Sequence, residues 1–298
     1  MKRYGALEAG GTKMVLSILD ENGTMLERKS IPTRTPAETM PEMAAFFREH
    51  SVTALGIGCF GPLDLNLSSP TYGEITTTPK LAWKHYPILR KFNEELGIPV
   101  AIDTDVNGAA LAEAKLGAAK GLNSCLYVTI GTGIGGGLVI SGKPIHGLTH
   151  PEVGHMLVTP EPDDPSPEGF CPYHKHCLEG LAAGPAIEKR WGMPGSQLPQ
   201  SHPAWELESS YIAQLCVNAI MMVSPERIIL GGGVMQQEFL IGDVRRKTIE
   251  RLGGYLDCEA VQNGFEEYIV TPGLGVNSGV MGAYLLAREA EDGWLKRS

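Results

Sequence analysis

The sequence contains no uninterrupted apolar run of the roughly 18 residues that a membrane-spanning helix needs. It also has few positive charges: 25 Lys and Arg stand against 34 Asp and Glu, and the basic residues form no long cluster. A formal net charge of −9 argues against nucleic acid or an anionic membrane as a partner. Glu8 and a glycine run replace the apolar segment that a signal peptide would carry, so we expect a cytoplasmic protein.

Cysteine is scarce and scattered, with six residues in a chain of 298. An intracellular chain of this size does not need a disulfide framework. Four of the six lie in apolar surroundings, where a small buried thiol is usual. Only Cys171 and Cys177 lie close together, in a stretch that is rich in histidine.

Strand-like and helix-like patterns alternate along both halves of the chain, which indicates an α/β protein. Among them we predict a helix at Ile88–Leu96, a strand at Leu126–Ile130 and a helix from Val234 onward. Two segments about 120 residues apart share one plan, in which a glycine turn bearing a threonine joins two strands. We therefore predict two domains, residues 1–120 and 121–276. A closing helix at about 277–290 is expected to pack back on the first domain.

Three glycine-rich turns follow predicted strands. Glycine lets backbone N–H groups approach and converge on an anion such as phosphate. Any one of these turns is more often an ordinary tight turn, but three in one chain favour nucleotide binding. They are Gly10-Gly11-Thr12-Lys13, Gly131-Thr132-Gly133 and Gly231-Gly232-Gly233.

Two familiar nucleotide-binding motifs are excluded by their context. Gly131-x-Gly133-x-x-Gly136 has the spelling of the dinucleotide fingerprint, but it runs into a strand, whereas the fingerprint must open a helix. Gly5-x4-Gly10 resembles the start of a Walker loop, yet Gly11 stands where the lysine belongs. A Rossmann dehydrogenase and a Walker-type ATPase both become poor interpretations.

A histidine- and cysteine-rich loop at 155–177 predicts a zinc site. Cys171, His174 and Cys177 are spaced at three-residue intervals, and His155 lies 16 residues before Cys171. Zinc prefers four tetrahedral sulfur and nitrogen ligands, and such a loop can wrap one ion. His176 could replace His174, although its position next to Cys177 would strain the chelate. The alternative is a loop whose cysteines are incidental; because the loop has no apolar pattern, we expect it to need a clamp.

Asp105 is the candidate catalytic base. It follows a short predicted strand at Pro99–Ile102 and precedes a helix at Val106–Leu116. Phosphoryl transfer to a sugar needs a carboxylate that orients and deprotonates the attacking hydroxyl. The carboxyl ends of strands face the ligand crevice in α/β sheets. On chemistry alone the alternative, a helix N-cap at Asp105 or Thr104, is equally good.

Taken together, these motifs resemble the ROK family of sugar kinases over residues 4 to about 285. The residues that carry the resemblance are Leu7-Glu8-Ala9-Gly10-Gly11-Thr12-Lys13, Asp105-x-Asn107-x-Ala109-Ala110, Gly131-Thr132-Gly133-x-Gly135-Gly136-Gly137, Glu152-Val153-Gly154-His155 and Cys177-Leu178-Glu179-Gly180. Three further segments resemble the bacterial fructokinase branch: Glu8-Ala9-Gly10-Gly11-Thr12-Lys13, Thr76-Thr77-Thr78-Pro79-Lys80-Leu81-Ala82-Trp83 and Cys171-Pro172-Tyr173-His174.

The resemblance implies a two-lobed actin-like ATPase (ribonuclease H-like) fold with a ligand cleft between the lobes. It implies ATP and a hexose as ligands, Mg²⁺ and Zn²⁺ as metals, and a homodimer. Fructose is the expected hexose, with mannose, glucose or an N-acetylated hexosamine as alternatives.

The resemblance also implies roles for single residues. Asp105 matches the catalytic base, and Glu8 matches an acid near magnesium that acts through water because glutamate is longer than the usual aspartate. Thr104, Glu152, His155 and Glu179 match positions that contact the sugar. His155, Cys171, His174 and Cys177 match the zinc ligands. The positions that match the ATP site are Gly10, Gly11, Thr12, Lys13, Gly131, Thr132, Gly133, Pro185, Gly231, Gly232, Gly233, Val234 and Met235.

Two functions of other classes fit the sequence less well. The same family includes transcriptional repressors, but these carry an extra N-terminal helix-turn-helix of roughly 60–80 residues, whereas here the first strand starts by Tyr4 and the chain is acidic. A non-catalytic sugar sensor would have no need of a base at Asp105. Many family members have Asn where Thr104 stands, and this difference leaves the choice of hexose open.

Overall fold

The structure is a computed structural model that describes residues 2–295, with side chains described in residues 2–293. These residues form two five-stranded sheets with helices, which confirms the predicted α/β class. Among the helices of residues 2–295, none combines the length and apolar character that crossing a bilayer requires.

The first sheet has the strand order β3-β2-β1-β4-β5. Its strands are β1 (Arg3–Ala9), β2 (Lys13–Asp20), β3 (Met25–Pro32), β4 (Ala54–Cys59) and β5 (Val100–Thr104). β1, β4 and β5 run parallel, and the register pairs Ala9 with Cys59 and Cys59 with Thr104. The carboxyl ends of the three parallel strands therefore meet at one edge of the sheet, where the residues after Ala9 and Thr104 begin the candidate site.

Three helices follow strands of this sheet along the chain: α1 (Pro36–Glu49), α2 (Ile88–Leu96) and α3 (Asp105–Lys115). α1 begins at a capping box in which the Thr35 N–H donates to Glu38 Oε2 at 3.2 Å. Its apolar face buries Met43 and Phe47 completely. α2 ends at Gly97, whose left-handed backbone (φ 64°) suits glycine.

The second sheet has the order β10-β9-β6-β7-β8. Its strands are β6 (Ser124–Ile130), β7 (Ile134–Ile140), β8 (Lys143–Pro144), β9 (Ile228–Gly231) and β10 (Ile269–Val270). β6 and β9 are parallel, and β7 is antiparallel to β6. The helices that follow are α4 (Leu178–Ala182), α5 (Gly184–Trp191), α6 (Ala204–Val223), α7 (Leu240–Leu252) and α8 (Glu259–Gln262). α6 is the longest of these and carries the buried residues Tyr211 and Cys216.

The closing helix α9 (Ser278–Leu295) packs against β1, β4 and β5 of the first sheet. This packing needs glycine at its contacts. A Cβ on Gly56 would come within 1.8 Å of the Ala283 carbonyl oxygen, and one on Gly282 within 2.1 Å of the Gly108 carbonyl carbon. α9 therefore lies nearly backbone to backbone against β4 and α3.

The chain divides into two compact units. The first holds residues 1–113, 143–150 and 276–298, and the second holds residues 114–142 and 151–275. Residues 143–150 thus lie with the first unit, whereas the sequence-based division placed them in the second domain. The reason is tertiary: His146 and His150 both form hydrogen bonds with residues of the first unit.

Candidate functional site

The first glycine turn, residues 10–12, joins β1 to β2. Gly10 N–H donates to the Lys13 carbonyl at 3.0 Å, and a Cβ on Gly10 would come within 2.8 Å of that oxygen, so the turn requires glycine there. Thr33 holds the turn from the end of β3: its hydroxyl donates to the Gly10 carbonyl at 2.7 Å and its N–H to the Thr12 carbonyl at 3.0 Å. Thr12 and Lys13 are left exposed and can meet a ligand.

Asp105 is the first residue of α3, directly after β5, and it is partly buried. Its Oδ1 accepts a hydrogen bond from Val106 N–H at 2.9 Å. The N-cap of the helix is Thr104, whose Oγ1 accepts at 3.0 Å from the N–H of Asn107, the third residue of α3. Of the two residues that could cap this helix, Asp105 and Thr104, it is thus Thr104 that makes the capping bond. Asp105 stands beside β4, because a Cβ on Gly58 would lie 3.3 Å from the Asp105 Cα.

Thr104 and Cys59 show how tightly the surroundings of Asp105 are packed. Thr104 is only 2% exposed, and its hydroxyl oxygen accepts the capping bond, so its expected contact with a sugar stays a prediction. Burial, and secondarily the negative charge of Asp105, raise the pKa of the Cys59 thiol well above its usual value. Cys59 therefore stays neutral and acts as a small core residue.

Glu8, the expected magnesium-side acid, lies in β1 just before the glycine turn. Burial raises the pKa of its carboxyl, while the charges of Arg28 and Lys13 oppose that rise. The side chain packs against the start of α9, because a Cβ on Gly279 would come within 2.7 Å of Glu8 Cδ. The first unit thus brings Glu8, the glycine turn and Asp105 to one edge of its sheet.

A third acidic residue at this edge, Asp103, was not predicted from the sequence. Asp103 is buried, and its Oδ1 accepts from Thr104 N–H at 2.7 Å and from Asn107 Nδ2 at 2.8 Å. His146 Nε2 lies 3.0 Å from Asp103 Oδ2, and this hydrogen bond raises the pKa of His146 against the effect of burial. The four-residue spacing of Asp103 and Asn107 was the one signal in the sequence.

In the second unit, the turn at residues 131–133 joins β6 to β7. Gly131 N–H donates to the Gly133 carbonyl at 2.9 Å, and the Gly131 carbonyl accepts from Gly184 N–H at 2.7 Å. Glu179 braces the other end, because its Oε2 accepts from Ile134 N–H at 2.9 Å. A Cβ on Gly133 would collide with that oxygen at 2.7 Å.

The other two segments expected to bind the nucleotide, residues 184–185 and 231–235, lie next to the turn at residues 131–133. Gly184 and Pro185 open α5, and Gly184 is bonded to Gly131. A Cβ on Gly131 would lie 3.8 Å from Gly233 N, so the glycines that follow β9 are also adjacent. Gly232 has φ 92°, and a Cβ there would come within 2.4 Å of the Ile130 backbone. Val234 and Met235 follow, but their side chains are buried.

Glu152, His155 and Glu179, all expected at the sugar, are grouped in the second unit. A short 3₁₀ helix, Val153–His155, follows Glu152, and His155 N–H donates to the Glu152 carbonyl at 3.0 Å. His155 Nε2 lies 3.9 Å from Glu179 Oε1. Burial, and then the charge of Glu179, raise the pKa of Glu152 to about 7.

The expected metal ligands lie together. The four ligand atoms of His155, Cys171, His174 and Cys177 are within 4.8 Å of one another. Cys171 Sγ lies 3.8 Å from Nδ1 of His155 and 3.8 Å from Nδ1 of His174, and Cys177 Sγ lies 3.8 Å from His155 Nδ1. Ligand atoms about 2.0–2.3 Å from a tetrahedral ion are separated by about 3.3–3.8 Å, so the cluster fits a metal ion. His155 directs Nδ1 to the sulfurs and Nε2 to Glu179.

The loop before the metal cluster has a protein clamp that the sequence did not reveal. Asp164 is buried, and it accepts from Arg190 Nε at 2.8 Å and from the Tyr211 hydroxyl at 2.7 Å. Arg190 also donates to the Leu181 carbonyl at 2.8 Å. The loop is therefore held by a buried ion pair between its own Asp164 and Arg190 of α5, with the Tyr211 hydroxyl of α6 as a further donor.

The chain is similar in sequence to known sugar kinases. The model of the ROK family matches residues 4–290. A fructokinase of Zymomonas mobilis is 46% identical over 299 residues, which cover 98% of both chains. A fructokinase of Pediococcus pentosaceus is 46% identical over 286 residues, which cover 96% of this chain and 98% of the other.

Solved structures show the same fold. The ROK hexokinase from Thermus thermophilus superposes with a TM-score of 0.75 at 29% identity, covering 99% of this chain and all of the other. A ROK glucokinase from Streptomyces griseus, solved with glucose and AMPPNP, has a TM-score of 0.78 at 24% identity over 96% of this chain and 99% of the other. These likenesses confirm the predicted actin-like ATPase fold.

Proposed function

This chain belongs to the ROK family, and we propose that it is a fructokinase that transfers the terminal phosphate of ATP to D-fructose, giving ADP and D-fructose 6-phosphate. The observation that carries the proposal is the identity of 46% to two fructokinases over at least 96% of this chain. The position of Asp105 at the carboxyl end of β5, where Thr104 has taken the capping role, supports it.

Asp105 is the proposed base. Its carboxylate takes the proton from the attacking sugar hydroxyl, the hydroxyl oxygen forms a bond to the terminal phosphorus, and the bond between that phosphorus and the bridging oxygen breaks to release ADP. The bond from Val106 N–H to Oδ1 fixes the carboxylate rotamer. General-base catalysis of this kind contributes about 10²–10⁴ in rate.

The glycine turns are proposed to hold the phosphates. Backbone N–H groups of Gly10–Lys13 and of Gly131–Gly133 would face phosphate oxygens, with the Thr12 and Thr132 hydroxyls as further donors. Magnesium, held near Glu8, would neutralise charge on the transferred phosphate. The adenosine part would meet the segments that converge on Gly131, namely Gly184, Pro185, Gly231, Gly232, Gly233, Val234 and Met235.

The sugar is proposed to bind Glu152, His155 and Glu179 of the second unit, and Thr104 is a further proposed sugar contact. A zinc ion on His155, Cys171, His174 and Cys177 would fix the ring of His155. With Nδ1 on the zinc ion, Nε2 would carry the proton and would be able to donate to a sugar hydroxyl or to Glu179. The metal would therefore orient the sugar site as well as stabilise the loop. A cytoplasmic homodimer completes the proposal.

A coupled assay for ADP across a panel of hexoses tests this function. We expect the highest kcat/KM with fructose, lower values with mannose and glucose, and a decline after treatment with a zinc chelator. Converting the product through phosphoglucose isomerase and glucose 6-phosphate dehydrogenase identifies the 6-phosphate by NADPH formation. Failure of every hexose to release ADP, or a preference for glucose over fructose, would overturn the proposal.

A further inference from the structure

Lys80 lies directly over the first glycine turn. A Cβ on Gly11 would lie 3.5 Å from Lys80 Cε, which is an ordinary van der Waals distance. The stem of Lys80 therefore lies on the side of the turn toward which a side chain at position 11 would project. Lys80 belongs to the loop between β4 and α2 and immediately precedes a short 3₁₀ helix, Leu81–Trp83. None of the roles described above uses this loop.

A chain of hydrogen bonds within the first unit holds Lys80 in this place. The Trp83 N–H donates to the Lys80 carbonyl at 2.8 Å, and the buried Trp83 ring donates from Nε1 to the Arg34 carbonyl at 2.7 Å. Arg34 follows Thr33, which holds the glycine turn through both its hydroxyl and its N–H. On the other side, Lys80 N–H donates to the buried Thr78 hydroxyl at 3.2 Å. The backbone of Lys80 is therefore fixed relative to the turn.

The side chains described near Lys80 do not neutralise its positive charge. Arg34 and Lys29 both pair with Glu42, at 2.7 and 3.1 Å. Lys80 is exposed, and among the side chains described, those of residues 2–293, its ammonium has no ion-pair or hydrogen-bond partner. In a chain of net charge −9, a lysine held over a phosphate-type turn without a carboxylate partner is available to an anion.

We propose that Lys80 binds the terminal phosphate of ATP above the Gly10–Thr12 turn and stabilises its charge during transfer. The inference rests on the proposed kinase function and adds a catalytic residue to it. In phosphoryl transfer the negative charge spreads over the three outer oxygens of the transferred group, so a compact ammonium positioned there acts on the transition state. Lys80 would thus supply the point charge that a Walker lysine supplies in an unrelated fold.

The test compares Lys80→Met and Lys80→Arg with Lys84→Met, a matched change of an exposed lysine at the other end of the same 3₁₀ helix. We expect Lys80→Met to lower kcat/KM for ATP by about 10–100-fold, with the KM for fructose nearly unchanged. Lys80→Arg should keep part of the activity, and Lys84→Met should behave as wild type. Because both lysines are exposed, all variants should melt at the wild-type temperature.

Calorimetry on the same variants gives a readout that does not need turnover. With Lys80→Met, affinity for AMPPNP should fall about tenfold, while affinity for ADP should stay within twofold, because ADP lacks the terminal phosphate. Unchanged AMPPNP affinity and unchanged kcat/KM, or an equal loss for ADP and AMPPNP, would overturn the inference. If wild type fails to phosphorylate any hexose, the proposed function fails, whereas the comparison of ADP with AMPPNP still tests Lys80.

Discussion

Asp103 and His146 form a hydrogen-bonded pair 43 residues apart in sequence, with His146 Nε2 3.0 Å from Asp103 Oδ2. Asp103 is buried two residues before the proposed base, and its other oxygen accepts from Thr104 and Asn107. The pair therefore ties the segment around His146 to the end of β5. Because this bond raises the pKa of His146, it links the stability of this edge of the sheet to pH.

The first prediction concerns the stability that the pair contributes. Asp103 holds the pKa of His146 above its usual value of 6.5, so the folded state favours the protonated ring. The contribution is fully present below pH 6.5 and is lost as pH rises through the raised folded pKa. Urea unfolding should therefore show that His146→Gln loses more stability relative to wild type at pH 6 than at pH 9.

The charge of Asp103 also acts on Tyr72. Burial, and then that charge, raise the pKa of Tyr72 above 10.0, so Tyr72 does not titrate between pH 6 and pH 9. The difference between wild type and His146→Gln at pH 9 thus serves as the internal control. A difference that is constant with pH, or one that grows toward pH 9, would contradict the assignment.

The second prediction concerns the contact between α9 and α3. Gly282→Ala places a methyl group 2.1 Å from the Gly108 carbonyl carbon, so the helices must separate. We expect a loss of about 1–3 kcal/mol in the free energy of unfolding. Gly293 lies in the same helix with nothing within 4 Å of an added Cβ. Gly293→Ala should therefore gain about 0.5 kcal/mol, since alanine has the higher helix propensity. Equal effects of the two changes would refute the close packing.

The third prediction concerns the metal. Wild-type protein should carry about one zinc per chain, and a chelator should lower its melting temperature by about 5 °C or more. Cys177→Ser should contain no zinc and should not respond to the chelator. Cys258→Ser is the matched control, because Cys258 is exposed and lies outside the ligand cluster. Wild-type protein without zinc, or a chelator effect that persists in Cys177→Ser, would contradict the site.

Local patterns predicted the elements that position the site. The helix Ile88–Leu96 has the predicted bounds, and the strand predicted at Leu126–Ile130 begins two residues earlier, at Ser124. The helix predicted at Val106–Leu116 begins one residue earlier and so includes Asp105. These segments were predictable because apolar periodicity and glycine turns act over a few residues.

One local prediction was wrong. A helix was expected from Val234 onward, but the chain forms only a 3₁₀ turn at Val234–Gln236, and α7 begins at Leu240. Val234 and Met235 are buried directly after the glycines that approach Ile130. The packing of that turn therefore overrides helix propensity for the six residues 234–239.

The polar contacts over long sequence distances could not be predicted from one sequence. The buried pair of Asp164 and Arg190 spans 26 residues, and the contact of His146 with Asp103 spans 43. Neither has a motif, because each depends on where the backbone brings two side chains together. The proximity of His155, Cys171, His174 and Cys177 was predictable because these residue types at this spacing are typical of zinc ligands.

Replacing the proposed base tests the central claim most directly. Asp105→Asn keeps an Oδ1 that can accept from Val106 N–H, so the protein should fold and melt as wild type does. Its carboxamide cannot take a proton from the sugar, so ADP release with fructose should fall by about 10²–10⁴. The measurement is kcat for fructose-dependent ADP release at matched protein concentration, with AMPPNP affinity as the check on binding. A variant that folds, binds AMPPNP and releases ADP at the wild-type rate would contradict the account.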